Sequence, residues 1–117
     1  MKVLLSVFAA ASMTAGMAHW TTPPPAFDYV VRVVDNGFIP ETVEVNFGDR
    51  VIWKNFDTHD HTVTAQFGPA DPQEKWLFDS GLIGSGGSFE FIFVKEGTYK
   101  YTCDLHPGIV GKVVVRR

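Results

Sequence analysis

Residues Tyr101-Thr102-Cys103-Asp104-Leu105-His106-Pro107-Gly108-Ile109 contain the only cysteine in the chain and, three positions after it, a histidine. A thiolate is a soft ligand and an imidazole a borderline one, so the pair suits copper or zinc better than magnesium or calcium. A C-x-x-H spacing alone is common, and a lone cysteine often behaves as an inert buried hydrophobe. A metal therefore requires a third ligand from elsewhere. The stretch Asn55-Phe56-Asp57-Thr58-His59-Asp60-His61-Thr62-Val63-Thr64 offers two imidazoles. His61 opens an apolar run and is the stronger candidate; His59 reads as a solvated loop residue or an extra ligand. A cysteine-histidine nucleophile is the competing chemistry, but no oxyanion or substrate pocket can be read from the sequence.

The elements that must position these groups are strands. Tyr29 to Val34 is a β-rich run, and Asp35-Asn36-Gly37 turns the chain. From Thr42 to Phe47, Val43, Val45 and Phe47 alternate with polar residues, which predicts one core face and one wet face. Further strands are expected over Val51 to Phe56, over His61 to Ala65, and along Ser88 to Phe93, where Phe89, Phe91 and Phe93 share a face. Tyr99, Tyr101 and Cys103 also fall on one face of a strand by the period of two. Pro107-Gly108 breaks the backbone before Val113-Val114-Val115 resumes, so His106 is expected on the turn of a hairpin. Many short strands separated by turns read as an all-β sandwich. The regularity stops between Gln66 and Leu82, where Asp71-Pro72-Gln73-Glu74 fits one short helical turn in a long loop, with Trp76, Leu77 and Phe78 tethering it.

Met1-Lys2, an apolar run from Val3 to Ala11 and small residues from Thr14 to Ala18 follow the order of a secretory signal peptide cut after Ala18. The run is short of the roughly 20 apolar residues that span a bilayer. Residues 19–27, with Pro23-Pro24-Pro25, read as a stiff extended lead-in. His19 would head the cut chain, and an N-terminal histidine can chelate copper, but such a brace needs a further imidazole. Residues 28–117 are enough for one domain with one core. A hydrophobic content of 45% excludes a disordered chain, and a formal charge of -3, one unit more negative without Lys2, excludes a basic nucleic-acid surface. In an exported protein a single cysteine has no internal disulfide partner, which leaves a reactive thiol or a ligand.

Taken in order, Gly37-Phe38-Ile39-Pro40-Glu41, Gly48-Asp49-Arg50-Val51-Ile52-Trp53, His61-Thr62-Val63-Thr64, Phe78-Asp79-Ser80-Gly81, Gly97-Thr98-Tyr99-Lys100-Tyr101 and Cys103 to Gly111 resemble a cupredoxin of the plastocyanin, pseudoazurin and amicyanin kind. The resemblance covers nearly all of the chain after the leader. It implies a cupredoxin-like Greek-key β-sandwich that holds one type 1 copper ion on His61, Cys103 and His106. It implies a small exported electron carrier, periplasmic or secreted and monomeric, rather than an enzyme. It further implies that the Thr62 N–H points at the cysteine sulfur, that His106 exposes a ring edge as the electron door, and that Pro107, Gly108 and Ile109 form the rim where redox partners dock briefly.

The fourth copper position departs from the family. Ile109 stands where short-loop members place methionine, and Met1, Met13 and Met17 all lie in the expected leader. A hydrocarbon neither donates to oxidised copper nor admits water, so the resemblance implies a nearly three-coordinate site of raised potential, with the Asp60 carbonyl as a weak axial contact. The alternative is that Ile109 only fills space while Gln66 or His59 swings in. A protein for copper delivery, storage or sensing is a second functional reading, and a small copper enzyme with an atypical fourth ligand a third.

Overall fold

The structure is a computed structural model, and it describes residues 26–65, 77–106 and 108–117. Alternation of β-branched and aromatic residues with polar ones writes most of its strands. In β1 (Asp28–Val34) Val31 and Val33 are fully buried, and in β3 (Thr42–Asn46) Val43 and Val45 face inward while Thr42, Glu44 and Asn46 face water. Trp53 occupies the centre of β4 (Arg50–Asn55). Tyr99 and Tyr101 are the inward residues of β8 (Gly97–Thr102), as Gly111, Val113 and Val115 are of β9 (Val110–Arg116). Shorter strands complete the set: β2 (Gly37–Ile39), β5 (Thr64–Ala65), β6 (Phe78–Asp79) and β7 (Ser88–Ile92).

Two sheets result, one in the order β2-β1-β4-β7 and the other β3-β9-β8-β5-β6. Two of the pairings are parallel, β1 with β4 and β3 with β9, and the rest are antiparallel. Inward side chains of both sheets meet in one core whose centre is aromatic. The Trp53 ring lies 5.3 Å from Tyr101, 5.6 Å from Phe78 and 5.7 Å from Phe89. Each such ring removes roughly 150–250 Å² from water, about 4–6 kcal/mol before the entropy of ordering it is subtracted. Asp49, buried, closes the end of the sandwich away from the cysteine by accepting from the backbone N–H groups of Phe27 at 3.0 Å and Asn46 at 2.8 Å.

Two expectations need revision, and a third falls outside the described residues. Phe47, placed on the core face by alternation, is about half exposed, because β3 ends at Asn46 and the chain turns there toward Asp49. Its ring lies beneath the Arg117 guanidinium, 5.9 Å from the ring centre. His61 does not open a strand: β5 begins only at Thr64, and His61 joins the sheet through a single antiparallel bridge to Ile83. The helical turn proposed at Asp71–Glu74 lies outside the described residues, as do the leader, Pro23 to Pro25, Trp76 and Gln66. Among the described residues no helix is long and apolar enough to cross a membrane.

Candidate metal centre

Strand β4 delivers the chain to Asn55, which is fully buried and organises the loop that follows. Its side-chain amide donates to the carbonyls of His59 and Ile83, each at 2.8 Å, and its Oδ1 accepts from the Asp57 N–H at 2.8 Å. That clamp brings the loop against the Ile83 segment, where His61 and Ile83 exchange backbone hydrogen bonds of 3.1 and 2.8 Å. The His61 ring is thereby fixed inside the protein with no exposed surface.

Cys103 follows the end of β8 and is 1% exposed. The loop after it is wound by three short-range backbone bonds: the His106 N–H to the Cys103 carbonyl at 3.2 Å, the Ile109 N–H to the His106 carbonyl at 3.1 Å, and the Cys103 N–H to the Ile109 carbonyl at 3.3 Å. Gly108 sits at a φ of 98°, a left-handed conformation that glycine alone adopts cheaply. His106 is carried back over the cysteine, half-buried, and its ring stacks on that of His61 with centres 4.7 Å apart and planes at 27°.

The donor atoms of these three side chains converge. Cys103 Sγ lies 3.7 Å from His61 Nδ1 and 3.4 Å from His106 Nδ1, and all three atoms fall within 4.8 Å of one another. Ligands held about 2.0–2.3 Å from one ion in a trigonal plane are separated by roughly 3.5–3.8 Å, so the two sulfur–nitrogen edges have the size a bound metal requires. One thiolate and two imidazoles in a plane form the donor set of blue-copper sites. The residues present fit copper.

Surrounding groups fix the donors. The Thr62 N–H donates to Cys103 Sγ at 3.3 Å, the contact that the resemblance implies, and Thr62 Oγ1 accepts from the Asp104 N–H at 2.8 Å. Thr64 Oγ1 lies 3.2 Å from Asp104 Oδ2 and 3.3 Å from Asp79 Oδ1, so one hydroxyl links the cysteine loop to β6. Asp57, absent from the sequence-based candidates, accepts from His61 Nε2 at 2.8 Å. A carboxylate only accepts, so Nε2 carries the ring proton and the Nδ1 lone pair is left facing the sulfur. The hydrogen bond from His61, helped by the Thr58 N–H, holds the Asp57 carboxyl below its usual range against the opposing effect of burial. The only signal of Asp57 in the sequence is its place four residues before His61 in a polar loop.

The other candidates are not among these converging donor atoms. The His59 side chain is 74% exposed, with Nδ1 3.6 Å from Asp57 Oδ2 and 3.5 Å from Thr58 Oγ1. Asp60 is exposed beside Gly84. Ile109 is half-buried and packs against the core; Pro107 lies outside the described residues.

Comparison with known proteins agrees with the geometry. Residues 29–116 match the family described as copper binding proteins, plastocyanin/azurin family. The chain is 29% identical over 112 residues to amicyanin-alpha of Methylorubrum extorquens, covering 96% of this chain and 92% of that one. It is 29% identical over 129 residues to amicyanin of Paracoccus denitrificans, covering 93% and 88%. Among solved structures, an oxidised amicyanin variant superposes with a TM-score of 0.69 at 27% identity, over 76% of this chain and 82% of that one. A purple cupredoxin from Nitrosopumilus maritimus superposes with a TM-score of 0.64 at 31% identity, over 75% and 99%.

Proposed function

The chain belongs to the plastocyanin/azurin family of copper-binding proteins, the cupredoxins, and from that premise we propose that it holds one copper ion on His61 Nδ1, Cys103 Sγ and His106 Nδ1 and carries single electrons between other redox proteins. The observation that carries this reading is the convergence of those three donors within 4.8 Å. Cupredoxins of this kind are electron carriers rather than enzymes. When bound, copper supplies a one-electron couple between Cu(I) and Cu(II).

The protein's part is to hold the donors still through both states. Cys103 is anchored by the Thr62 N–H, His61 by Ile83 and Asp57, and His106 by its loop bonds. A donor set that does not move adds little reorganisation to the transfer. His61 and Cys103 are closed off from water, whereas His106 is only half-buried, so its ring edge is the exit for the electron. Partners dock over that edge, against Pro107, Gly108 and Ile109 with the half-exposed Leu105 beside them. Such encounters are small and short-lived. Ile109 stands in the sequence where short-loop relatives carry methionine, and its hydrocarbon, which cannot donate to bound copper, would raise the potential above that of a methionine-ligated relative. Residues 1–18 act as an export signal, residues 19–27 as a lead-in, and residues 28–117 work in the periplasm or outside the cell as a monomer.

Copper(II) titration of residues 19–117, followed by visible absorption through a cycle of reduction and reoxidation, tests the proposal. An intense thiolate-to-copper band that saturates at one equivalent and bleaches reversibly is expected. Copper that binds without such a band, or that a mild chelator strips at once, would replace electron transfer with delivery or storage.

A further inference from the structure

His61 has two ring nitrogens, and the structure gives each one task. Nδ1 faces Cys103 Sγ at 3.7 Å, and Nε2 meets Asp57 Oδ2 at 2.8 Å. The histidine is wholly buried, and the Asp57 side chain is 11% exposed, so little water screens the contact. Asp57 is itself held from two sides. Its N–H donates to Asn55 Oδ1 at 2.8 Å, and its other carboxylate oxygen, Oδ1, accepts from the Thr58 N–H at 2.7 Å. One carboxylate oxygen thus fastens the loop while the other meets the His61 imidazole, with the exposed His59 Nδ1 3.6 Å from it. The remaining ring, His106, has no carboxylate on its far nitrogen among the contacts of the described residues, so the two histidines are electrostatically unequal.

We infer that Asp57 is a positioning residue that locks His61 in the Nε2-protonated tautomer and, through its charge, lowers the potential of the centre, opposing the rise brought by Ile109. The inference rests on copper binding at His61, Cys103 and His106 for its redox half and on the hydrogen bond alone for its tautomer half. A hydrogen bond from imidazole to a carboxylate makes the ring a stronger donor through its other nitrogen. A fixed negative charge beside a cation also favours the more positive state of that cation, and the effect is large where water is excluded. Both push toward Cu(II), and Ile109 pushes toward Cu(I). Asp57 would therefore ease the passage of the electron from the reduced centre to an acceptor, which a three-coordinate site of raised potential alone would hinder.

Two measurements test this. In the metal-free protein, nitrogen-15 NMR of the His61 ring is expected to show a protonated Nε2 and a bare Nδ1; the opposite tautomer, or a mixture, overturns the inference whether or not copper binds. In the copper-loaded protein, Asp57→Asn keeps the shape and an acceptor but removes the charge. Its preference for Cu(II) over Cu(I) is expected to fall roughly tenfold, the difference between a charged and a neutral hydrogen bond, which is about 59 mV toward higher potential for a one-electron couple. Asp57→Ala is expected to mix the tautomers and broaden the visible band as well. An Asp57→Asn protein with a full copper band and an unchanged potential would sink the tuning role. Loss of the band in the unsubstituted protein would instead count against the copper centre, and the NMR measurement would still judge the tautomer.

Discussion

At the scale of single residues, Ile109 and Asp57 are opposite choices made around one site. The proposed function has the first withhold a donor that methionine would supply, and the second places a charge behind His61. Ile109→Met restores a thioether that can reach oxidised copper, and the expected outcome is a lower potential by voltammetry with the same one-equivalent copper band. A potential that stays or rises would show that Ile109 is only a space-filler. The three side chains that converge at the candidate centre stand out in the sequence because each carries a chemical mark: a single cysteine, a histidine three residues on, and an imidazole at the head of an apolar run. Asp57 carried no such mark. An aspartate in a polar loop looks solvated until the fold turns its carboxylate under a histidine, and only the Asn55 clamp, set by a tertiary contact with Ile83, does that. The half-exposed Phe47 escaped for the converse reason: alternation says which face a residue shares and not where the strand stops.

At the scale of elements, the β8–β9 hairpin joins core to site. Tyr101 pairs with Gly111 across it, and a Cβ added at Gly111 would lie 2.3 Å from Tyr101 Cζ and 2.4 Å from the tyrosine oxygen. The tyrosine can lie flat over β9 only because its neighbour has no side chain. Tyr101 is 1% exposed, its ring wedged between Phe38 and Trp53, and burial pushes its hydroxyl up to about 12. Gly111→Ala is therefore expected to destabilise the domain by about 1–3 kcal/mol, the usual cost of overpacking, read as a lower denaturation midpoint. Because Cys103 lies two residues beyond Tyr101, the same change is expected to weaken copper retention. A stable variant with normal copper content would mean that the ring moves aside freely. The strands themselves were largely legible, since β3, β7 and β8 alternate apolar with polar residues and β1 and β9 are rich in valine. The three-residue β2 and two-residue β6 were not, because segments so short have no period to read.

At the scale of the whole molecule, charge is unevenly placed. The segments 56–62, 79–87 and 103–110 that surround the candidate centre contain Asp57, Asp60, Asp79 and Asp104 and no lysine or arginine. Arg50, Lys95, Arg116 and Arg117 belong to the other end of the strands, and Arg32 and Lys54 lie over the Phe56 ring, on an outer sheet face at the margin of the first of these segments. An acidic end attracts cations and repels anions over about a Debye length. Oxidation of the reduced protein by tris(phenanthroline)cobalt(III), a cation, is expected to slow as salt is added, and oxidation by hexacyanoferrate(III), an anion, to quicken. Salt slopes of the reverse sign would locate the electron exit elsewhere. Strand order has a different consequence. β9 is the last of the nine strands among the described residues, yet it lies between β3 and β8 inside its sheet and pairs with β3 across some seventy residues. Until it emerges from the ribosome, β3 and β8 have nothing between them and the sandwich cannot close. A chain that still lacks β9 therefore stays open, and its cysteine meets the two histidines only once that strand has been added.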